Sequence, residues 1–283
     1  MLGKIIKYEF KATARIYLLL YCAFMLVTII NAVVTPNGVE LINGHGHMPE
    51  ILAIFYQIYF RFIMMLYFLL NGAVVIVTVV VTVVRFYRLL GDDGYLWFTL
   101  PAKINAHLLG KMVPSLVWAI CSTLVMIVSV IITFVGYGYP EFIPNIIKGW
   151  QELVAAGMHP LLWLICTIVC LFGTWLSATL SYYSAMSIGP NFTKSRLGGS
   201  ILAYIGLRLV YNLLSIPVTM IAALPLNRLM NMSIDYSDPV LFSQQMDQIA
   251  LTLTLVFMIQ FMLNAVINYL ITYYMVNRKL NLA

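Results

Sequence analysis

Charge is scarce in this sequence, and the scarcity excludes most soluble folds. Only 9% of its 283 residues are Asp, Glu, Lys or Arg, while 62% are hydrophobic. A soluble domain carries about 25% charged residues, and a water-soluble fold of the present composition would expose large apolar patches and aggregate. Cysteine is scarce too. Cys22, Cys121, Cys166 and Cys170 all sit inside apolar runs. With no CxxC pair and no Cys/His cluster, neither a zinc site nor a disulfide framework is expected, and the thiols read as small apolar side chains. His45 and His47 form a His-Gly-His piece, but two ligands without partners do not make a metal site. Catalytic signatures are missing as well. Gly3-Lys4 and Gly110-Lys111 lack the other residues of a phosphate loop. No GxSxG elbow, HExxH pair or dinucleotide fingerprint occurs. No cofactor and no metal is expected, and the chain does not read as an enzyme.

What is present is a series of long apolar runs. They predict an all-α integral membrane protein with six transmembrane helices in a single domain, 1–283. The spans fall at about 16–34, 62–84, 112–135, 161–186, 201–224 and 250–276, each long enough for about 30 Å of hydrocarbon. Ahead of them, residues 1–14 set Leu2, Ile5, Ile6 and Phe10 against Lys4, Lys7 and Lys11. That spacing makes a basic amphipathic helix suited to the membrane interface. No small-residue cleavage site follows the first run, so it is expected to be a retained span rather than a signal peptide. Pro36, Asn37 and Gly38 are expected to end the first span. Arg61 marks the outer surface, and the aromatic piece before it, with Tyr56, Tyr59 and Phe60, is either a helix extension or an interface belt. The pattern around Trp150 predicts a short surface helix within 136–160. Residues 225–249 read as an outer loop, and Pro217 as a kink in the fifth span.

The formal net charge is +6, but the basic residues sit in short loops beside apolar runs, which indicates membrane anchoring and not nucleic acid. Lys4, Lys7, Lys11, Arg15, Arg85, Arg88, Lys103, Lys111, Lys194, Arg196, Arg278 and Lys279 fall on one side of the six spans. Arg61, Lys148 and Arg228 fall on the other, and Arg208 lies within a span. By the positive-inside rule, both termini are cytoplasmic, in a multi-pass protein of the cell membrane whose first partner is the lipid bilayer.

The interruption at 85–111 stands out, as a polar segment between two very hydrophobic runs. It is expected to be a cytoplasmic contact loop. Its contact residues are expected to be Arg88, Asp92, Asp93, Tyr95, Leu96, Trp97, Phe98 and Leu100. Glycines 91 and 94 allow tight turns around the acids, and the apolar side chains suit a protein contact. The adjacent acids read as a cap or partner contact rather than a catalytic pair. Within the spans there is no Asp or Glu, so an ion-coupled carrier lacks its usual titratable relay. The central polar groups are uncharged: Asn31, Asn71, Ser177, Ser181, Asn212, Asn264 and Asn268. Asn264 and Asn268 are four apart on one helix face, where they either line a pathway or hydrogen-bond between helices. A transporter with neither an intramembrane acid nor a nucleotide site would draw its energy from a partner.

The phrase Gly94-Tyr95-Leu96-Trp97-Phe98-Thr99-Leu100-Pro101, followed by Leu108-Leu109-Gly110-Lys111 before the third span, resembles a stretch of the ABC-2 permeases. These are the membrane subunits of type-2 ABC exporters, and the likeness is to those of Gram-positive bacteria. It covers about 25 residues; the remainder matches by its six-span plan and basic amphipathic N-terminus. The chain departs from the pattern at Asp92-Asp93, where a Glu is common, and at Ala102-Lys103, where Val-Ser or Val-Thr is usual.

The resemblance implies an N-terminal helix lying along the inner surface and a cytoplasmic coupling helix between spans two and three that docks on an ABC ATPase subunit. It implies short outer helices between spans five and six. Two permeases, either two copies or a copy and a sister permease, would pair with two ATPases. The implied activity is export of a hydrophobic or amphipathic substrate: a lipid-like compound, an antimicrobial peptide or a drug. The alternatives are a sensor or immunity protein that binds peptide or lipid without transport, and a secondary carrier.

Overall fold

The computed structural model describes residues 2–42, 50–90, 104–136, 141–191, 195–231 and 239–278, and is all-helical among them. Seven α-helices follow in chain order: α1 (Leu2–Ile42), α2 (Glu50–Leu90), α3 (Ile104–Gly136), α4 (Phe142–Ala155), α5 (Pro160–Ile188), α6 (Arg196–Asn231) and α7 (Pro239–Arg278). A one-turn 3-10 helix, Gly189–Asn191, joins α5 towards α6. All but α4 are long and apolar enough to cross a membrane, which makes this a multi-pass membrane protein by length and composition. Their outward faces are apolar, with Leu19, Ile51 and Ile221 each about two-thirds exposed or more, as lipid-facing helices require.

The helices outrun the expected spans. At a rise of 1.5 Å per residue, the 41 residues of α2 reach about 60 Å, twice the hydrocarbon thickness. The aromatic piece before Arg61 is therefore continuous with the span, and α1 is likewise unbroken from Leu2 to Ile42. It passes both the expected joint near residue 15 and the expected stop at Pro36. Backbone hydrogen bonding does not end where hydrocarbon ends, so the apolar run underestimates the helix. The same holds for the outer loop expected at 225–249. There α6 continues to Asn231 and α7 begins at Pro239, and the implied short outer helices are not among the described residues. α6 runs on through Pro217. α4 matches the short amphipathic helix expected around Trp150, and none of its residues is buried.

The chain divides into two compact units. One comprises Lys7–Val81 and Val117–Lys148 and holds an aromatic core of Tyr17, Tyr21, Phe24 and Tyr67 with Val74. Trp118 of α3 stacks on Tyr17 at 4.5 Å, and its Nε1 donates to the Thr13 hydroxyl at 2.8 Å. Hydroxyl pairs lace the helices together: Tyr21 with Ser122 at 2.7 Å, Thr78 with Ser122 at 2.8 Å and Thr28 with Ser129 at 3.0 Å. Ser129 donates to Tyr67 at 3.1 Å. At Gly136 an added Cβ would lie 2.5 Å from the Ala32 Cα, so α1 and α3 touch backbone to backbone and only glycine fits.

The other unit comprises Met1–Ile6, Thr82–Leu116 and Gly149–Ala283. α5 packs along α7, and α6 against both. The 3-10 turn presses on α6: a Cβ on Gly189 would lie 2.4 Å from the Ser200 nitrogen. At the far end of α5, Pro160 occupies the first turn, where its missing N–H costs nothing. Asp247 serves that helix start. It accepts from Trp163 Nε1 at 2.8 Å and pairs with His159 Nδ1 at 2.5 Å. The sequence places Asp247 in a loop; it lies instead on α7, facing α5.

Candidate functional site: a loop anchor and a buried polar ladder

Residues 91–103 join α2 to α3. The expected contact residues Asp92, Asp93, Tyr95, Leu96, Trp97, Phe98 and Leu100 lie outside the described residues, whereas Arg88 is exposed in the last turn of α2. What the structure describes is how the two ends of this segment are held. Phe86 and Leu89 on α2 and Leu108 on α3 pack with Tyr183 and Met186 of α5 and Val276 of α7. Phe86 and Tyr183 stack face to face at 3.9 Å, with their planes 8° apart. Stacked rings add about 0.5–1.5 kcal/mol beyond their buried area. Ser115 of α3 shares a hydrogen bond with the Tyr183 hydroxyl at 3.4 Å. Next to this cluster, Ile5 of α1 sits on Gly110, where an added Cβ would come within 2.6 Å of the Ile5 Cγ2. Lys111, counted among the basic residues of this segment, is buried. The amphipathic face of residues 2–6 thus has a protein surface to rest on, and the third-span lead-in Leu108–Lys111 faces inward.

No protein-family profile, curated protein or solved structure matches this chain.

A polar ladder lies deeper between α5 and α7. Ser177, Ser181 and Ser184 recur at spacings of four and three, which aligns them on one face of α5. Asn264, Asn268 and Thr272 do the same on α7, and all six are buried. Asn264 donates to Ser177, Ser184 donates to the Asn268 side-chain oxygen, and Asn268 donates to the Asn264 side-chain oxygen. Asn268 also donates to the Asn264 carbonyl at 2.8 Å. Ser181 sits between the two amides, 3.5 Å from Asn264 Nδ2 and 3.3 Å from Asn268 Nδ2. Thr272 returns a bond to the Asn268 carbonyl at 2.7 Å. Both amides are satisfied, as groups cut off from water must be. Small serines let the helices approach closely while the amides bridge them.

Of the predicted site residues, Asn264 and Asn268 come together, on α7 against α5. The sequence also flagged Ser177 and Ser181, but not Ser184, Thr272 or the Phe86–Tyr183 stack. Ser184 was findable, since it continues the spacing of Ser177 and Ser181. The stack was not, because nothing in a ring's sequence position names the ring it will meet.

Proposed function

We propose that this chain is the membrane-spanning permease subunit of an ATP-driven ABC exporter, moving a hydrophobic or amphipathic substrate across the cytoplasmic membrane with a separate ATPase subunit. The observation that carries the reading is the anchor. A force applied to residues 91–103 arrives at Phe86 and Leu108, which belong to one packed cluster with Tyr183 and Val276. Tyr183 adjoins Ser184 in sequence, and Ser184 belongs to the ladder. Ser181 lies within hydrogen-bond reach of both ladder amides, so it offers either amide a partner as α5 and α7 shift. Transitions of this kind occur as small helix shifts between two packed states. The basic count supports cytoplasmic termini and a cytoplasmic loop.

A second permease, either another copy or a sister chain, completes the reading. Arg208, Asn212, Ser215 and Thr219 recur at spacings of four, three and four, forming a polar stripe on α6. Three of them are exposed and Ser215 is partly so. Polar groups on a membrane helix turn towards protein or a water-filled cavity, so a partner over this stripe is favoured over lipid.

The test is co-purification with a candidate ABC ATPase subunit. Trp97→Ala with Phe98→Ala is expected to abolish assembly and the permease-dependent part of ATP hydrolysis. A doubly substituted chain that assembles and stimulates like the parent overturns the proposal.

A further inference from the structure

One cavity borders the anchor, sharing Met186 with it, and lies apart from the ladder. It encloses about 290 Å³ between α2, α5 and α6. Val83, Ala185, Met186, Leu197 and Ile201 line it with apolar atoms, joined by Ser200 and by Tyr182 and Tyr204, whose rings stack at 5.4 Å. Leu197 and Ile201 are each more than half exposed, so the cavity opens sideways along α6, towards the surroundings of the bundle. Those surroundings are lipid if α6 spans.

We propose that this cavity binds one acyl chain of an anionic phospholipid. The shape argues for a chain. The opening follows α6 from Leu197 to the ring of Tyr204, seven residues or about 10 Å of helix. A slot of 290 Å³ is too small for a partner helix about 10 Å across, and its lining offers an apolar ligand only apolar contact. Charge argues for the head group. α6 begins at Arg196, directly before the outermost lining residue, Leu197. A lipid with its chain in the slot would have its phosphate at the level of the first turn of α6, and a basic residue type at the start of that helix favours an anionic head group. The slot is bounded by Tyr182, Ala185 and Met186, which flank Tyr183 and Ser184 in sequence, so its occupant would press on the segment of α5 that carries the anchor and the ladder.

The experiment reconstitutes the full chain in nanodiscs of equal parts phosphatidylglycerol and phosphatidylcholine with identical acyl chains. Lipids retained after transfer to detergent are then counted by native mass spectrometry. The expected result is one phosphatidylglycerol held per chain. Ala185→Phe, which fills the slot, should cut retention at least tenfold, and Arg196→Gln should erase the preference for phosphatidylglycerol while a lipid is still held. Equal retention of both lipids by the parent, or full retention by Ala185→Phe, overturns the proposal. So does a dimer that Ala185→Phe splits with its lipid count unchanged, which would assign the slot to a side chain of a second copy. Tyr204→Trp guards against misfolding of the filled variant. Its added fluorescence should be quenched to saturation by a small fraction of phosphatidylglycerol brominated on its acyl chains. Quenching that only tracks the bulk brominated content overturns the site.

Discussion

In one unit the helices meet through a tryptophan and three tyrosines; in the other, α5 and α7 meet through asparagines and serines. The aromatic unit gains its cohesion from area. Trp118 on Tyr17 buries two large faces, and buried hydrogen bonds such as Tyr21 with Ser122 are added to that area. The polar unit gains its cohesion from direction. Asn264 and Asn268 bury little apolar surface, and each is held by several small partners. Area survives the loss of a single bond; a ladder of bonds does not, because each deleted partner strands another in a place water cannot reach. The same property suits the ladder to a moving part. Stacked rings have one good register, while serines spaced by a turn offer successive partners to one amide.

The comparison can be broken most forcefully at the two close backbone approaches, one in each unit. Gly136→Val is expected to unpack the aromatic unit and Gly189→Val the polar one, each by about 3 kcal/mol or more, because the obstruction is backbone and overpacking of this kind exceeds the usual cost. The cysteines report which unit opens. Maleimide labelling of Cys121 should accelerate in the first variant, and that of Cys166 and Cys170 in the second. Acceleration of all three in both variants would show that the units do not unfold separately.

The next effect in size sharpens the ladder. Asn268→Leu removes the amide and leaves the Asn264 side-chain oxygen without its donor, while Ser184 keeps only its bond to the Ser181 carbonyl at 3.1 Å. Stranding buried groups costs about 1–3 kcal/mol each, so a loss of about 2–3 kcal/mol is expected in denaturant titration of the detergent-solubilised chain. Ser181→Ala should cost less than half of that, since its bonds to the amides are the longest of the set. Equal losses would refute the ordering.

On the aromatic side, Tyr21→Phe keeps the ring and deletes the bonds to Ser122 and the Trp118 carbonyl. An expected loss of about 1 kcal/mol, well below that of Asn268→Leu, is what separates area from direction. A loss as large as the asparagine's would erase the distinction.

The smallest effect belongs to the tie between α5 and α7 at His159. The His159 side chain is 72% exposed, and exposed ion pairs contribute about 0–1 kcal/mol. His159→Ala should therefore shift the unfolding midpoint barely, while Asp247→Ala should shift it more, because it also frees the Trp163 indole. Matching shifts would mean that the histidine is the partner that matters.

Much of this architecture is legible in the residues. Hydrocarbon thickness sets a minimum length for an apolar run, so the six spans and the order of the helices follow from composition. α5 begins and ends within two residues of the expected 161–186. The short amphipathic α4 follows from helical periodicity, and the shared faces of Asn264 with Asn268 and of Ser177 with Ser181 follow from a turn of 3.6 residues. Those are properties of one helix at a time. The tertiary structure decided what each face meets: that Asn268 finds Ser184, that Phe86 finds Tyr183, and that Gly136 rather than Gly72 has a backbone pressed against it. It also decided how far α2 and α7 extend beyond the apolar run, because a helix is ended by its hydrogen bonds and caps and not by the solvent it leaves. Periodicity names the face of a helix and is silent about its neighbour, since contacts between helices depend on crossing angle and depth, which no single segment encodes.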